Sequence, residues 1–250
     1  MYSLAPTITA LDCGWLRTQR RTLTQGGSTD QLSFPIPSWL VQHPQGNVVF
    51  DVGLHPDLAD GAESLGPMAK IFAPQLEHGG TVAHRLAEHD VDPLSNLTVV
   101  LSHCHFDHVG GLCELPNARV IIQADEWVAA TSDPDISYDK SLFELGHDVL
   151  AIAGAHDLFG DGTVACIPTP GHTCGHQSLR VVTANGPVIL AADACYFGHT
   201  LDDGILPQFG YDFDQQRASL DMLRREHAGG TAIVPGHDAE IFRRLLAAPL

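Results

Sequence analysis

The decapeptide SHCHFDHVGG, residues 102–111, directly follows the apolar run LTVVL. In an extended chain alternate side chains point the same way, so His103 and His105 can converge on one point beyond the end of a strand. Asp107 and His108 follow where the chain is expected to turn into a helix, and they can face a neighbouring point. Imidazole nitrogens and carboxylate oxygens are ligands for divalent metal ions. The motif therefore predicts a buried strand that ends at a site for two metal ions.

Three other segments place the same residue types at the ends of apolar runs. They are TPGHTCGH with His172, LAADACYF with Asp193, and VPGHD with His237. Functional side chains of α/β proteins gather where strands give way to loops, so we expect these residues to complete the ligand set. His176 opens the next strand, four residues after His172. It is predicted to support a ligand rather than to bind a metal ion.

The rest of the sequence indicates an α/β protein, because short β-branched runs alternate with helical patterns. The predicted strands are Thr7–Leu11, Ser38–His43, Asn47–Asp51, Thr98–Leu101, Arg119–Ile122, Val164–Thr169, Gln177–Val182, Pro187–Ala191 and Thr231–Val234. The predicted helices are Val82–His89, a short turn from Asp107, Asp125–Ala130, Phe213–His227 and Ala239–Ala247.

We expect the 250 residues to form one domain, residues 1–250, because a chain of this size with 44% hydrophobic residues can bury a full core. GNVVFDVG resembles GPVILAADA, and LTVVLSHCHFDH resembles GTAIVPGHDAE, which suggests two similar halves that face each other. Residues 55–80 show no firm period and are predicted to form an excursion or lid.

The net charge of −17, with only 13 Lys and Arg, argues against nucleic acids and anionic membranes as partners. The N-terminus lacks a basic region followed by a long apolar stretch, and no window reaches the length of a membrane span, so we expect a cytoplasmic protein. The six cysteines have no paired spacing and are predicted to be reduced thiols.

Taken together, the motifs resemble the metallo-β-lactamase superfamily. Its pattern is His-x-His-x-Asp-His, then a distant His, a distant Asp and a last His, and this sequence contains all seven in that order. The resemblance implies an α/β fold, a four-layer αββα sandwich with a dinuclear site at the sheet edges. It also implies that one ion is held by His103, His105 and His172, the other by Asp107, His108 and His237, and both by Asp193.

Within that superfamily, HCHFDHVGG, TPGHTCGHQSL and DACY resemble the N-acyl homoserine lactone lactonases, which quench bacterial quorum sensing. The resemblance implies two divalent ions. Zinc is the first candidate, and manganese, iron and cobalt stay open because such sites accept each of them and selection follows availability. It implies an acyl lactone as the substrate, opened by a hydroxide that bridges the ions. We expect Tyr196 to stabilise the oxyanion and Asp107 to transfer the proton. Candidates for the acyl pocket are Phe106, Met68, Ile71 and Phe72. A homodimer is left open.

The alternative is a hydrolase of another ester or a thioester on the same metal site, as in glyoxalase II. Glyoxalase II, however, adds a C-terminal helical domain for which we expect no room after His237. A zinc β-lactamase would commonly have Cys where Asp193 stands, and a tRNA-processing relative would need a basic surface. A binding module that had lost its chemistry would show a broken ligand set, whereas all seven positions are filled here.

Overall fold

The strands lie in two sheets within residues 5–132, 137–248 and 250, which the computed structural model describes. The strands of the first sheet are β1 (Thr7–Gln19), β2 (Gln31–His43), β3 (Gly46–Phe50), β4 (Ala73–Gln75), β5 (Thr98–Val100), β6 (Arg119–Gln123) and β7 (Asp148–Ile152). Their order is β4-β1-β2-β3-β5-β6-β7. The β4-β1-β2-β3 part is antiparallel, and the β3-β5-β6-β7 part is parallel.

The strands of the second sheet are β8 (His156–Asp157), β9 (Val164–Pro168), β10 (Gln177–Thr183), β11 (Gly186–Leu190) and β12 (Ala232–Val234). They run in the order β12-β11-β10-β9-β8, and only β11 and β12 pair in parallel. Parallel neighbours end at the same sheet edge. The chain segments that follow β3 and β5 therefore meet at one edge, as do those that follow β11 and β12.

The helices are α1 (Arg20–Leu23), α2 (Val82–Glu88), α3 (Phe106–Val109), α4 (Ala124–Ser132), α5 (Gly198–Asp203), α6 (Phe213–Ala228) and α7 (Ala239–Ala247). Aspartates cap the N-termini of α6 and α7. Asp212 accepts from the backbone N–H groups at the start of α6, and Asp238 does so at the start of α7. Among the described helices, none has the length and apolar character needed to cross a membrane.

Apolar side chains separate the layers, because alternate residues of a strand point to opposite faces of the sheet. In β3, Val48 and Phe50 face the second sheet and pack with residues such as Leu179, whereas Val49 packs on the opposite face with the cluster that contains Leu86 of α2. On the far side of the second sheet, Ile189 packs with residues of α6. This arrangement confirms the predicted αββα sandwich.

Every predicted strand and helix overlaps an element of the structure, and the differences have local causes. Strands β1 and β2 extend well beyond the predicted segments. The sequence hides the long β2 because it contains Pro35 and Pro37, which cannot donate to a ladder. The short strands β4 and β8, the strand β7, and the helices α1 and α5 were missed.

Residues 55–80 form two 3₁₀ segments, Pro56–Ala59 and Glu63–Lys70, followed by β4. Strand β4 pairs with β1 through three residues at the sheet edge. The Thr18 hydroxyl of β1 donates to the Ile71 carbonyl oxygen at 2.8 Å. The excursion is therefore attached to the first sheet at its C-terminal end.

The cysteines provide a test of the packed core. Cys113 is exposed, Cys174 is half-buried and the other thiols are buried. Burial raises the pKa of Cys13, Cys166 and Cys195 to about 12, so they carry almost no thiolate at neutral pH.

We expect Ellman's reagent to modify Cys113 rapidly and Cys174 slowly in the native protein, and every thiol after unfolding. Cys113→Ser should remove the fast phase. Rapid native reaction of a third thiol would contradict this packing.

Candidate metal centre

The exits of β3 and β5 position the histidine motif. Asp51 follows β3 and has a positive φ of 55°, which turns its side chain back toward β5. Its carboxylate accepts from the Ser102 backbone N–H at 2.7 Å and from the Ser102 hydroxyl at 2.8 Å. This contact fixes the backbone just before His103. His105 then precedes α3, which carries Asp107 and His108 in its single turn.

The predicted ligands come together as two groups at the sheet edges. Within each group, the nearest nitrogen and carboxylate atoms all lie within 4.8 Å of one another. The first group consists of His103, His105, His172 and Asp193, and the second consists of Asp107, His108 and His237. The groups match the two ligand sets that the resemblance implies.

Asp193 lies between the two groups and presents a different oxygen to each. Its Oδ2 is 3.1 Å from His172 Nε2 and 3.9 Å from His103 Nε2. Its Oδ1 is 3.0 Å from His237 Nε2 and 3.2 Å from His108 Nε2. A carboxylate that bridges two ions needs this placement, with one oxygen directed at each ligand set.

Several atoms at the centre fit a metal site because they are buried and, although polar atoms of the other ligands lie close by, they are not in hydrogen-bonding geometry. They are His103 Nε2, His108 Nε2 and Asp193 Oδ1. An unsatisfied buried polar atom costs about 1–3 kcal/mol, so such atoms are expected where a further group binds. Imidazole and carboxylate donors are those that divalent ions such as Zn²⁺ accept. The two groups could therefore hold two divalent ions.

The electrostatics differ between the two sides of Asp193. Burial lowers the pKa of His103 and His172 well below the usual value, which keeps these imidazoles neutral. Burial also lowers the pKa of His108, but neighbouring carboxylates, Asp193 first, outweigh this and raise it well above the usual value. For Asp193, burial raises the pKa, yet the surrounding histidines, His108 and His237 first, lower it well below the usual range. Asp193 is thus an ionised carboxylate.

Hydrogen bonds to Nδ1 aim the other ring nitrogen at the centre. The Nδ1 atom of His108 lies 2.8 Å from Asp51 Oδ2, and that of His103 lies 2.9 Å from the Ser102 hydroxyl. His237 donates from Nδ1 to the Pro35 carbonyl oxygen at 3.0 Å. Such outer contacts fix the tautomer and the orientation of a ligating imidazole. Asp51 and Ser102 were not among the predicted site residues.

His176 stands outside both groups. Its Nε2 accepts from the Asp193 backbone N–H at 3.2 Å, and its Nδ1 lies 3.1 Å from the Thr169 carbonyl oxygen. Burial lowers the pKa of His176 to about 3, so the ring is neutral and can accept at one nitrogen while it donates at the other. The geometry is that of a residue that supports Asp193.

A cavity of about 440 Å³ opens above the two groups. The predicted acyl-pocket residues Phe106, Met68, Ile71 and Phe72 all line it. The Tyr196 side chain is buried, and its hydroxyl lies 3.4 Å from His172 Nδ1. Burial, followed by the charges of Asp193 and Asp107, raises the pKa of Tyr196 well above its usual value. The phenol therefore stays protonated and can donate a hydrogen bond into the cavity.

The sequence missed other residues that line the cavity, among them Leu23, Phe34, Tyr138, Phe209 and Tyr211. The segment FGYDF could have signalled part of this wall, because Phe209, Tyr211 and Phe213 stay exposed. Two backbone hydrogen bonds attach this segment to the His172 loop. The N–H groups of Tyr211 and Asp212 donate to carbonyl oxygens of residues 172 and 171 at 2.9 Å.

Glu126 is a further residue that the sequence gave no reason to select. It lies in the first turn of α4 and is fully buried. Its Oε1 accepts from the Cys104 backbone N–H at 3.0 Å and from the Tyr138 hydroxyl at 3.2 Å, and its Oε2 accepts from the Gly175 N–H at 3.2 Å. Cys104 lies between His103 and His105, and Gly175 lies just after His172. One carboxylate therefore joins both loops that carry the first group.

Comparisons with known proteins agree with this geometry. The family model described as the metallo-beta-lactamase superfamily matches residues 33–237. The N-acyl homoserine lactonase AttM of Rhizobium johnstonii is 30% identical, over 91% of this chain and 90% of the relative. AttM of Agrobacterium fabrum is 29% identical over the same shares of the two chains.

A solved structure of a Bacillus thuringiensis AiiA mutant, with N-decanoyl-L-homoserine bound at the active site, superposes with a TM-score of 0.88. It is 23% identical and the match covers 97% of each chain. AidC, a dizinc quorum-quenching lactonase in complex with a product, N-hexanoyl-L-homoserine, superposes with a TM-score of 0.71. It is 16% identical, and the match covers 95% of this chain and 89% of AidC. At these identities the structural matches concern the fold.

The Glu126 contacts predict an effect on metal binding. In Glu126→Gln, an amide N–H₂ would face a donor, so at least one loop would lose its acceptor. We expect the affinity for a divalent ion to fall by about ten- to a hundred-fold, as for other residues that orient ligands. Competition with a chromogenic chelator measures it.

Glu114→Gln is a matched control for this change. The Glu114 carboxylate accepts from the Thr81 hydroxyl at 2.9 Å and from the Ala83 N–H at 3.2 Å, near the start of α2. This control should lower the melting temperature while metal affinity stays unchanged. Equal metal affinity in Glu126→Gln and the wild type would show that Glu126 does not position the ligand loops.

Proposed function

We propose that this chain, which belongs to the metallo-β-lactamase superfamily, is a metal-dependent hydrolase that opens the lactone ring of N-acyl homoserine lactones. The observation that carries the proposal is the pair of ligand groups around Asp193 at the base of an apolar cavity. Relatives named N-acyl homoserine lactonases, which align over most of the chain, support the substrate class.

We assign two divalent ions to the chain, with zinc as the native metal. His103, His105 and His172 would hold one ion, Asp107, His108 and His237 would hold the other, and Asp193 would bridge them. The dizinc centre named for AidC supports the choice of zinc. When bound, the two ions would supply a nucleophile from water at neutral pH, together with positive charge beside the substrate oxygens.

The chain's own residues then orient the substrate and move the proton. Tyr196 donates from its hydroxyl to the carbonyl oxygen of the lactone, where negative charge develops. A carboxylate oxygen of Asp107 takes the proton of the attacking water and passes it to the ring oxygen as the C–O bond breaks. The products are a carboxylate and a free hydroxyl group on the same opened molecule, and the second proton of the added water is released to solvent, so the addition of one water balances.

Apolar residues hold the acyl chain and keep bulk water from the cavity. We assign this role to Phe106, Met68, Ile71 and Phe72, the last three of which belong to the excursion of residues 55–80. The excursion would act as a lid over the acyl chain of the substrate. Packing among these rings supports the assignment, since the centroids of Phe72 and Phe106 lie 5.8 Å apart.

A substrate panel tests the proposed function. The purified holoenzyme should hydrolyse an N-acyl homoserine lactone faster than a thioester or a β-lactam chromogen, when kcat/KM is compared at one pH. A preference for the thioester would favour the glyoxalase-like alternative. The cytoplasmic location and the homodimer stay predictions, which fractionation of cells and sedimentation of the purified protein would test.

Removal of the bridging carboxylate tests the metal assignment. In Asp193→Ala both ligand groups lose an oxygen, so we expect a clear deficit of both ions and a loss of at least about 100-fold in lactone turnover. Elemental analysis of the purified protein measures the metal content. Asp125→Ala, at an exposed position of α4, is the control. Full occupancy together with full activity in Asp193→Ala would exclude a bridging role.

The Tyr196 hydroxyl is tested by Tyr196→Phe, which keeps the ring and its packing. If the hydroxyl donates to the developing oxyanion, turnover of the lactone should fall by roughly ten- to a thousand-fold, the range for one such donor. Metal content should not change. A hydroxyl with only a structural role would instead cost about 1 kcal/mol of stability and no chemistry. Measurement of kcat, melting temperature and metal content on this one variant separates the two roles.

A further inference from the structure

A second groove, of about 520 Å³, adjoins the metal cavity and carries cations in its wall. Its charged residues are Arg17 of β1, Arg21 of α1 and Lys70 at the end of the second 3₁₀ segment. Among the residues that the structure describes, no Asp or Glu lines this groove. The whole sequence has 30 acidic residues against 13 Lys and Arg, so the groove is a local reversal of the protein's charge.

Within the part of the chain that the structure describes, the cations of this groove have no acidic partners, unlike several other cations of the protein. Arg85, Arg119 and Arg224 each pair with a carboxylate. Within the described ranges, neither Arg17 nor Lys70 makes a side-chain hydrogen bond or an ion pair, and Arg21 donates from Nε to the neutral Gln19 amide at 2.7 Å. In a chain with a large excess of acids, unpaired cations in one groove leave their charge available to a ligand.

The groove and the metal cavity share part of their walls. Thr22, Ile71 and Phe72 line both. Ile71 is 46% exposed, and its carbonyl oxygen accepts the hydrogen bond from Thr18 that anchors the end of the excursion. A chain that leaves the metal cavity along Phe72 and Ile71 therefore passes from an apolar wall to a cationic one.

We propose that the cationic groove binds a negatively charged group at the far end of the substrate's acyl chain. The proposal rests on the proposed lactonase function and narrows its substrate class to acyl homoserine lactones whose chain ends in a carboxylate. The planar guanidinium groups of arginines match a carboxylate with two parallel hydrogen bonds, and Lys70 adds a point charge. The acyl chain would lie on the apolar wall between the metal cavity and the groove.

Matched substrates test the groove in the holoenzyme. We expect the double variant with Arg17→Gln and Lys70→Gln to lose about three- to ten-fold in kcat/KM for a lactone with an ω-carboxylated acyl chain, the size expected for two exposed charge contacts. For a neutral chain of the same length, kcat/KM should change by less than about twofold. Raising the salt from about 0.1 M to 1 M should remove the difference between wild type and variant, because the screening length falls from about 10 Å to 3 Å.

Arg225→Gln, which removes an exposed charge from α6, is the control for net charge. It should leave the ratio of the two kcat/KM values as in the wild type. The proposal would be overturned if the double variant kept the wild-type ratio of the two kcat/KM values, whether both values fell equally or neither changed.

A binding measurement separates failure of the groove from failure of the lactonase function. Calorimetric titration of the holoenzyme with decanedioate and with decanoate needs no turnover. The wild type should bind decanedioate more tightly by about three- to ten-fold, and the double variant should bind the two alike. Equal affinities in the wild type would overturn the anion site even if lactones are hydrolysed. If no lactone is hydrolysed, the dianion preference would still establish the site.

Discussion

The centre of the molecule depends on keeping the Asp193 carboxylate charged in the interior. An isolated buried carboxylate costs several kcal/mol in lost hydration, so it needs partners of opposite charge or a bound cation. Nitrogens of His172, His237 and His108 lie 3.0–3.2 Å from its two oxygens, and the charge of Asp193 raises the pKa of His237 and His108 despite their burial. These histidines lie in segments that follow strands of both sheets. The nitrogens around the Asp193 carboxylate therefore come together only when the two halves of the sandwich pack against each other.

The sheets also set the direction in which each imidazole points. Asp51 and His103 follow the parallel neighbours β3 and β5, and Asp193 and His237 follow β11 and β12. A shift of one residue in either pairing would turn the alternating side chains to the opposite face. Backbone pairing thus controls the site indirectly. The bond between the Gln177 N–H and the Ser102 carbonyl oxygen, at 2.9 Å, joins the two sheets next to His103.

Local patterns made much of this predictable. The histidine motif and the strand ends follow from alternation and from residues close in sequence. The layer order came from the resemblance to the superfamily, and the family match confirms the fold. Long-range partners could not be predicted in this way. The Glu126 carboxylate accepts a hydrogen bond from Gly175, 49 residues away, and the Asp51 carboxylate accepts one from Ser102, 51 residues away. Nothing in a lone acid within an otherwise ordinary segment indicates such a partner. The short β4 and the proline-containing start of β2 were missed for a different reason, because neither shows an apolar period.

The apolar part of the cavity wall is held in the fold differently from the part that the ligands form. The ligands follow strands in paired sheets, whereas Met68, Ile71 and Phe72 belong to an excursion that β4 attaches through three residue pairs. Loops tolerate substitution more readily than the strands that carry a core. Lys70 lies on the same excursion. A substitution at Lys70 can therefore change the charge of the adjoining groove without moving a metal-ligand side chain. Under the proposed function, one ligand geometry would then serve acyl chains of different length and charge, with selectivity and chemistry on separate parts of the fold.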